Sequence, residues 1–209
     1  FKIKENIPSK WCDASLVKVQ NLLLKEALKD LNNQHFIFVS DSCVPVKNFD
    51  YIYSNLNSNY SYFNKANNPT NTFNNGIKMY KASQWCILNR KHSKLILDNK
   101  KWFENTCYIR DHQCPDESCY ISLLSNKKLE NELITTPNIS YNATTFTGWS
   151  DMSNYKDFKE SKKINSPNNY THLSEEELDY LINSKSLFAR KFLENCSGLD
   201  KLNQVYNPK

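Results

Sequence analysis

Glycine is scarce: Gly76, Gly148 and Gly198 are the three in 209 residues. A loop that cradles phosphates through its backbone needs several glycines within one turn, so the P-loop and the G-x-G-x-x-G fingerprint are both excluded. No apolar run approaches the roughly 18 residues of a membrane-spanning helix. No signal peptide opens the chain, which starts at Phe1 rather than Met, and the expectation is a segment excised from a longer protein. Paired C-x2-C knuckles and internal repeats are missing. So is a compact basic run interleaved with aromatics, and nucleic acid is not an expected partner. The net charge of +5 and pI of about 8.7 are a diffuse excess that suits an anionic substrate such as a nucleotide diphosphate.

What is present is enough for a packed core: 39% hydrophobic and 13% aromatic residues, in a length that fits one domain over 1–209. Seven cysteines (Cys12, Cys43, Cys86, Cys107, Cys114, Cys119 and Cys196) leave at least one unpaired within the chain. Cys107, His112, Cys114 and Cys119 form a short run of soft ligands, but C-x4-H-x-C-x4-C is not a zinc spacing. Disulfides or core thiols are the better expectation. Sequons at Asn59, Asn138, Asn142, Asn169 and Asn195 are what chance supplies in so Asn-rich a chain.

The chain is organised around residues 36–49. Phe36 to Val39 is an apolar, β-rich run without polar alternation, which predicts a strand buried on both faces, as in a parallel sheet. It stops at Ser40-Asp41-Ser42, and Pro45 is expected to block further pairing. Ahead of it, Leu16, Val19, Leu23, Ala27 and Leu31 predict a helix over 15–31. After it come a short helix near 49–57 with Phe49, Ile52, Tyr53 and Leu56 on one face, a strand at 60–63, and an Asn-rich loop at 64–78. A strand at 83–89 and a helix from Arg90 to Trp102 follow. Pro115-Asp116-Glu117 reads as a helix start. Strands are expected at 133–135 and 144–149, a loop over 151–172, and a helix opened by the capping box Ser174 to Glu177. Helices feeding strands make the class α/β.

Three stretches put charge on a structured position. Asp41, flanked by serines, ends the opening strand, where open α/β sheets present ligands. A second carboxylate for a D-x-D turn is lacking, so Asp41 is a poor metal ligand and a good acceptor for sugar hydroxyls. Asp116-Glu117 lies at a helix N-terminus, whose dipole favours the charged form, and an anionic carboxylate there could act as general base. Arg190-Lys191 sits inside the apolar run Leu187 to Phe192, where cations could neutralise a diphosphate leaving group without a metal. The structural alternatives are plain capping at Asp116-Glu117 and snorkelling at Arg190-Lys191.

These residues resemble a known family. Phe38-Val-Ser-Asp-Ser-Cys-Val-Pro-Val-Lys-Asn-Phe49, followed by Tyr51-Ile-Tyr53, is similar to the core-2/I-branching β-1,6-N-acetylglucosaminyltransferases, and to their plant-type branch in particular. Ser83-Gln-Trp85 with Arg90-Lys-His92, Pro115-Asp-Glu117, and Phe188-Ala-Arg-Lys-Phe192 resemble three further blocks of that family in the same order. The resemblance implies a GT-A-like, Rossmann-like mixed sheet flanked by helices. It implies inverting, metal-independent transfer of a GlcNAc- or xylose-class sugar from a UDP-sugar to a hydroxyl of a glycan or glycoprotein, with no cofactor. Glu117 matches the catalytic base and Lys191 the lysine that stabilises departing UDP. The family's upstream arginine has no match here, and Arg190 is a candidate by proximity. Asp41, Ser42 and Asp116 are expected to line the substrate, Trp85 to stack on the acceptor sugar or simply pack in the core, and the 64–78 loop to lie on the acceptor side.

Two departures matter. Ala82 stands where the related segment has glycine, and the family's first N-terminal strand, which helps hold uridine, has no counterpart after Phe1. The alternative is therefore a non-catalytic, degenerate carbohydrate-binding relative. By resemblance the full-length parent is expected at the lumenal face of the Golgi membrane, attached through a segment absent here.

Overall fold

The computed structural model describes residues 3–72, 76–109, 114–136, 144–148 and 167–202. His112, Trp149, the sequons at Asn138 and Asn142 and most of the 151–172 stretch lie outside them. In chain order the elements are α1 (Ala14–Ala27), β1 (His35–Ile37), β2 (Val44–Pro45), α2 (Phe49–Asn55), β3 (Ser61–Thr72), β4 (Lys78–Ala82), β5 (Ile87–Asn89), α3 (Arg90–Asp98), α4 (Lys100–Trp102), α5 (Cys119–Asn126), β6 (Leu133–Thr136), β7 (Thr145–Thr147), β8 (Tyr170–His172), α6 (Glu175–Asn183), β9 (Phe188–Arg190) and β10 (Phe192–Ser197). The class is mixed α/β. The chain divides into two compact units, Phe1–Phe38 with Ser58–Pro137, and Val39–Asn57 with Asn138–Lys209.

In the first unit the sheet runs β1-β5-β3-β4, with β6 added alongside β3. Only the β3–β6 pair is parallel, which makes the sheet mixed. The expectation for the opening strand fails here. β1 is three residues long, pairs antiparallel with β5, and alternates in burial, while Val39 is half exposed. A continuous apolar run does not by itself distinguish two buried faces from one.

The Asn-rich stretch 64–78 is not a loop. β3 runs through it to Thr72 and Lys78 opens β4, so most of it forms the arms of a hairpin. Poor strand formers are accommodated because the ladder is irregular: the register shifts on both sides of the Pro69–Tyr80 pair, and a proline fits a strand at such a bulge.

The outer edge of β4 is closed by side chains of α5. Tyr80 N–H donates to Ser122 Oγ at 2.8 Å, and Asn126 accepts from Lys78 N–H and donates to Lys78 C=O. These contacts satisfy an edge that would otherwise template association. Every residue of α5 from Cys119 to Ser125 is buried, as expected for a helix apolar or small all round. It packs with Phe36, Leu88, Ile96 and Phe103 into the core of this unit. α1 contributes Val17 and Leu24 rather than the predicted Leu23 and Leu31, which are exposed, and it ends at Ala27.

The second unit holds the sheet β2-β9-β7 and the parallel pair β8–β10. Pro45 does not end pairing. It faces Phe188 across the antiparallel β2–β9 ladder, on an edge strand where a missing N–H is tolerated. Val46, Phe146, Leu181, Ala189 and Phe192 form its core. In α2 only Ile52 is buried. Phe49 and Tyr53, predicted inward, stack on each other outside with centroids 5.9 Å apart. The capping box of α6 is present, Ser174 Oγ accepting from Glu177 N–H and Glu177 Oε2 accepting from Ser174 N–H. Buried Lys47 donates to the Ile182 carbonyl in the last turn of α6, where helix carbonyls lack partners, and burial draws its pKa down.

Candidate functional site

The residues singled out from the sequence fall into two sets, one in each unit. The first is Asp116, Glu117 and Trp85. Pro115–Glu117 form a single 3-10 turn, and α5 begins at Cys119 after a break at Ser118, so the carboxylates precede the helix rather than occupy its first turn. Neither caps α5 through its side chain.

Two disulfides bracket this turn. Cys12–Cys114 ties it to the residue before Asp13, the N-cap of α1, and Cys107–Cys119 closes the segment from the other side. The three thiols of the zinc alternative are thereby consumed in covalent bonds, and that alternative falls.

Within the turn the two carboxyls differ. Glu117 is about one-third exposed and forms an ion pair with Lys81 of β4, its Oε2 lying 3.1 Å from Nζ. Asp116 has its Oδ1 buried, without a hydrogen-bond partner among the described residues. Burial pushes the Asp116 carboxyl up from 3.8 to about 6, with the Glu117 charge adding to the rise and Lys81 and a backbone hydrogen bond opposing it. The expected stabilisation of the charged form at a helix N-terminus is therefore corrected for Asp116: loss of water outweighs any favourable dipole. Trp85 is partly buried against the core of this unit, and its backbone N–H donates to Ser83 Oγ at 3.3 Å.

Another polar cluster in this unit has the residue types of a hydrolytic triad. His92 Nδ1 lies 2.7 Å from Ser61 Oγ, and its Nε2 lies 3.1 Å from Glu132 Oε2. Ser61 is fully buried and also accepts from Asn89 N–H at 2.9 Å, so its hydroxyl is a structural bridge, not a nucleophile. Burial lowers the His92 pKa, and the Glu132 hydrogen bond and charge oppose that shift.

The second set is Asp41, Ser42, Arg190 and Lys191. Ser40 to Cys43 make a turn closed by Cys43 N–H donating to Ser40 C=O at 3.1 Å, with Ser40 and Ser42 hydroxyls 3.0 Å apart. The β2–β9 register then sets Val44 opposite Ala189, and Phe192 N–H donates to Ser42 C=O at 3.0 Å. Two stretches almost 150 residues apart are thus sewn together, and Arg190 comes beside the turn. Burial pulls its guanidinium below the ordinary value, and contact with Cys43 and the Asp41 charge push back. Asp41 is exposed, and Lys191 is partly buried with its carbonyl accepting from Tyr170 N–H at 2.8 Å.

Sequence reasoning missed Lys81, which stands two residues before the Ser83-Gln-Trp85 segment with nothing but strand alternation to mark it. It missed Cys43 as the neighbour of Arg190, although Cys43 lies within the quoted turn.

With this geometry in hand, residues 1–181 match the protein family described as Core-2/I-Branching enzyme. The chain is 30% identical over 188 residues to a protein of Oryza sativa subsp. japonica named Glycosyltransferase BC10. That alignment covers 75% of this chain and 45% of the relative, so the chain spans less than half the length of the curated protein it matches. Arg190 and Lys191 lie just beyond the matched family span.

Proposed function

Since the chain belongs to the core-2/I-branching enzyme family, we propose that it is the catalytic part of an inverting glycosyltransferase with a GT-A-like fold. It moves a GlcNAc- or xylose-class sugar from a UDP-sugar to a hydroxyl of a glycan or glycoprotein. The relative's name as a glycosyltransferase supports the reaction class.

Glu117 accepts the proton of the acceptor hydroxyl as its oxygen forms a bond to the anomeric carbon. The bond from that carbon to the UDP oxygen breaks, and UDP departs with the electron pair. Lys191 and Arg190 offset the charge gathering on the diphosphate, a task a divalent cation would otherwise perform. Asp41 and Ser42 offer acceptors and a hydroxyl to donor sugar or ribose. Asp116 lies beside Glu117 on the acceptor side, and Trp85 borders the acceptor.

The observation that carries this reading is the β2–β9 ladder. It joins the Ser40-Asp41-Ser42 turn to Arg190-Lys191 in one unit, where the Arg190 guanidinium feels the Asp41 charge. The two disulfides support an oxidising, lumenal setting such as the Golgi.

The test is UDP release by the full-length protein from UDP-GlcNAc and UDP-xylose, with a glycan acceptor and excess chelator. Acceptor-dependent release that survives chelation is expected. Glycan binding without release from any donor would favour the non-catalytic alternative.

A further inference from the structure

We propose that Lys81 is a positioning residue for the transfer: it grips one oxygen of Glu117 and fixes the carboxylate so that the other faces the acceptor hydroxyl. The inference rests on the reading of Glu117 as the base.

Geometry carries it. Lys81 Nζ is 3.1 Å from Glu117 Oε2, and among the described residues Oε1 has no hydrogen-bond partner. The two backbones that bring the pair together are locked. On one side β4 is hydrogen-bonded along β3, with Ala82 opposite Lys65 and Tyr80 opposite Pro69, the positions flanking Lys81. On its other edge β4 is held by α5 through Ser122 and Asn126. α5 starts two residues after Glu117, and Cys119 at its first position is held in a disulfide. The ion pair therefore spans a rigid frame rather than two mobile surface chains.

Chemistry supplies the reason. Glu117 is adjacent to a second carboxyl, Asp116, whose own charge opposes it, and Lys81 attracts both. A lone glutamate at one-third exposure would sample several rotamers and turn toward water. An ammonium on Oε2 removes that freedom and leaves a single lone-pair direction for proton transfer. A partly exposed pair adds little to folding stability, so stability alone does not explain the arrangement.

The experiment compares Lys81→Met, Lys81→Arg and Glu117→Gln in the full-length protein, with acceptor-dependent turnover, donor KM and thermal melting measured for each. Lys81→Met should lose about tenfold to a hundredfold in kcat, the scale of a misplaced catalytic group. Its donor KM should stay within about twofold of the parent, because only the transition state loses the interaction. Lys81→Arg should recover most of the rate, and the melting temperatures should coincide. In the double variant Lys81→Met with Glu117→Gln, turnover should match Glu117→Gln alone. An inactive Glu117→Gln beside a fully active Lys81→Met refutes the role of Lys81 and leaves the base assignment standing. An active Glu117→Gln removes the base and this proposal together.

Discussion

Asp116→Asn should stabilise the protein at neutral pH while leaving it unchanged in acid. The Asp116 carboxyl titrates near 6 in the folded chain against 3.8 ordinarily, chiefly because burial withholds water from it. The sign follows from which state releases its proton first. Below about pH 4 the group is neutral in both states and ionisation contributes nothing. Between about 4 and 6 the unfolded chain ionises while the folded one does not, so stability falls as pH rises, and above about 6 the whole cost is present. At about 1.4 kcal/mol for each pH unit between the two values, the ceiling is about 3 kcal/mol. The side chain is only partly buried and Lys81 is near, and solvent screening reduces this to about 1–2 kcal/mol. Asparagine keeps the shape and removes the charge. In a chain of this size each kcal/mol moves the melting temperature by about 2–4 °C. Melts of both proteins at about pH 4 and about pH 7.5 should show a gap that opens with pH in favour of the variant. A gap of the same size at both pH values, or a variant less stable at the higher one, would refute the assignment of a desolvated carboxyl.

Two further predictions concern the frame. Ser61→Ala strips a partner from both His92 Nδ1 and Asn89 N–H inside a fully buried cluster, and should lower stability by about 2–3 kcal/mol. Denaturant titration should show a lower midpoint with the same slope, and an unchanged midpoint would mean the bridge is dispensable. Thiol titration of the unfolded, unreduced protein should find three free cysteines, Cys43, Cys86 and Cys196, whereas five or more would contradict the pairing. Replacing Cys107 and Cys119 together by serine should lower stability by about 2–3 kcal/mol and reduce turnover more than donor binding, because the Glu117 turn loses one of its braces.

The parts of the architecture that were legible from sequence are those set by local chemistry. Ser174 and Glu177 stand three apart before an apolar run, and the capping box forms as read. Helix α3 starts at Arg90 as expected, with the Asn89 side chain accepting from His92 N–H at its start, and the carboxylates after Pro115 do open a turn that leads into α5. Pairing was less legible, because ladders depend on residues far apart. Nothing near Pro45 announces Phe188 as its partner, and nothing in the composition of 64–78 reveals that a strand with a bulge at Pro69 survives there. Helix faces were misjudged where a hydrophobic residue was assumed to point inward: Leu23, Leu31, Phe49 and Tyr53 are exposed.

The same division holds at the site. Asp41, Glu117 and Lys191 were singled out from the sequence by their places at the ends of elements and by the family resemblance, and the structure supplies their surroundings. Lys81 was not, because a lysine on a strand reads as a solvated side chain until its carboxylate neighbour is seen. The environment of Asp116 was not legible either, since desolvation belongs to the packed structure and not to a dipeptide.

The most direct test of the central claim is acceptor-dependent turnover of UDP-sugar by Glu117→Gln in the full-length protein, measured beside its affinity for UDP. If Glu117 is the general base as proposed, its loss should cut kcat by about 10²- to 10⁴-fold while UDP affinity stays at the parent value. A variant that transfers sugar at the parent rate would contradict the account.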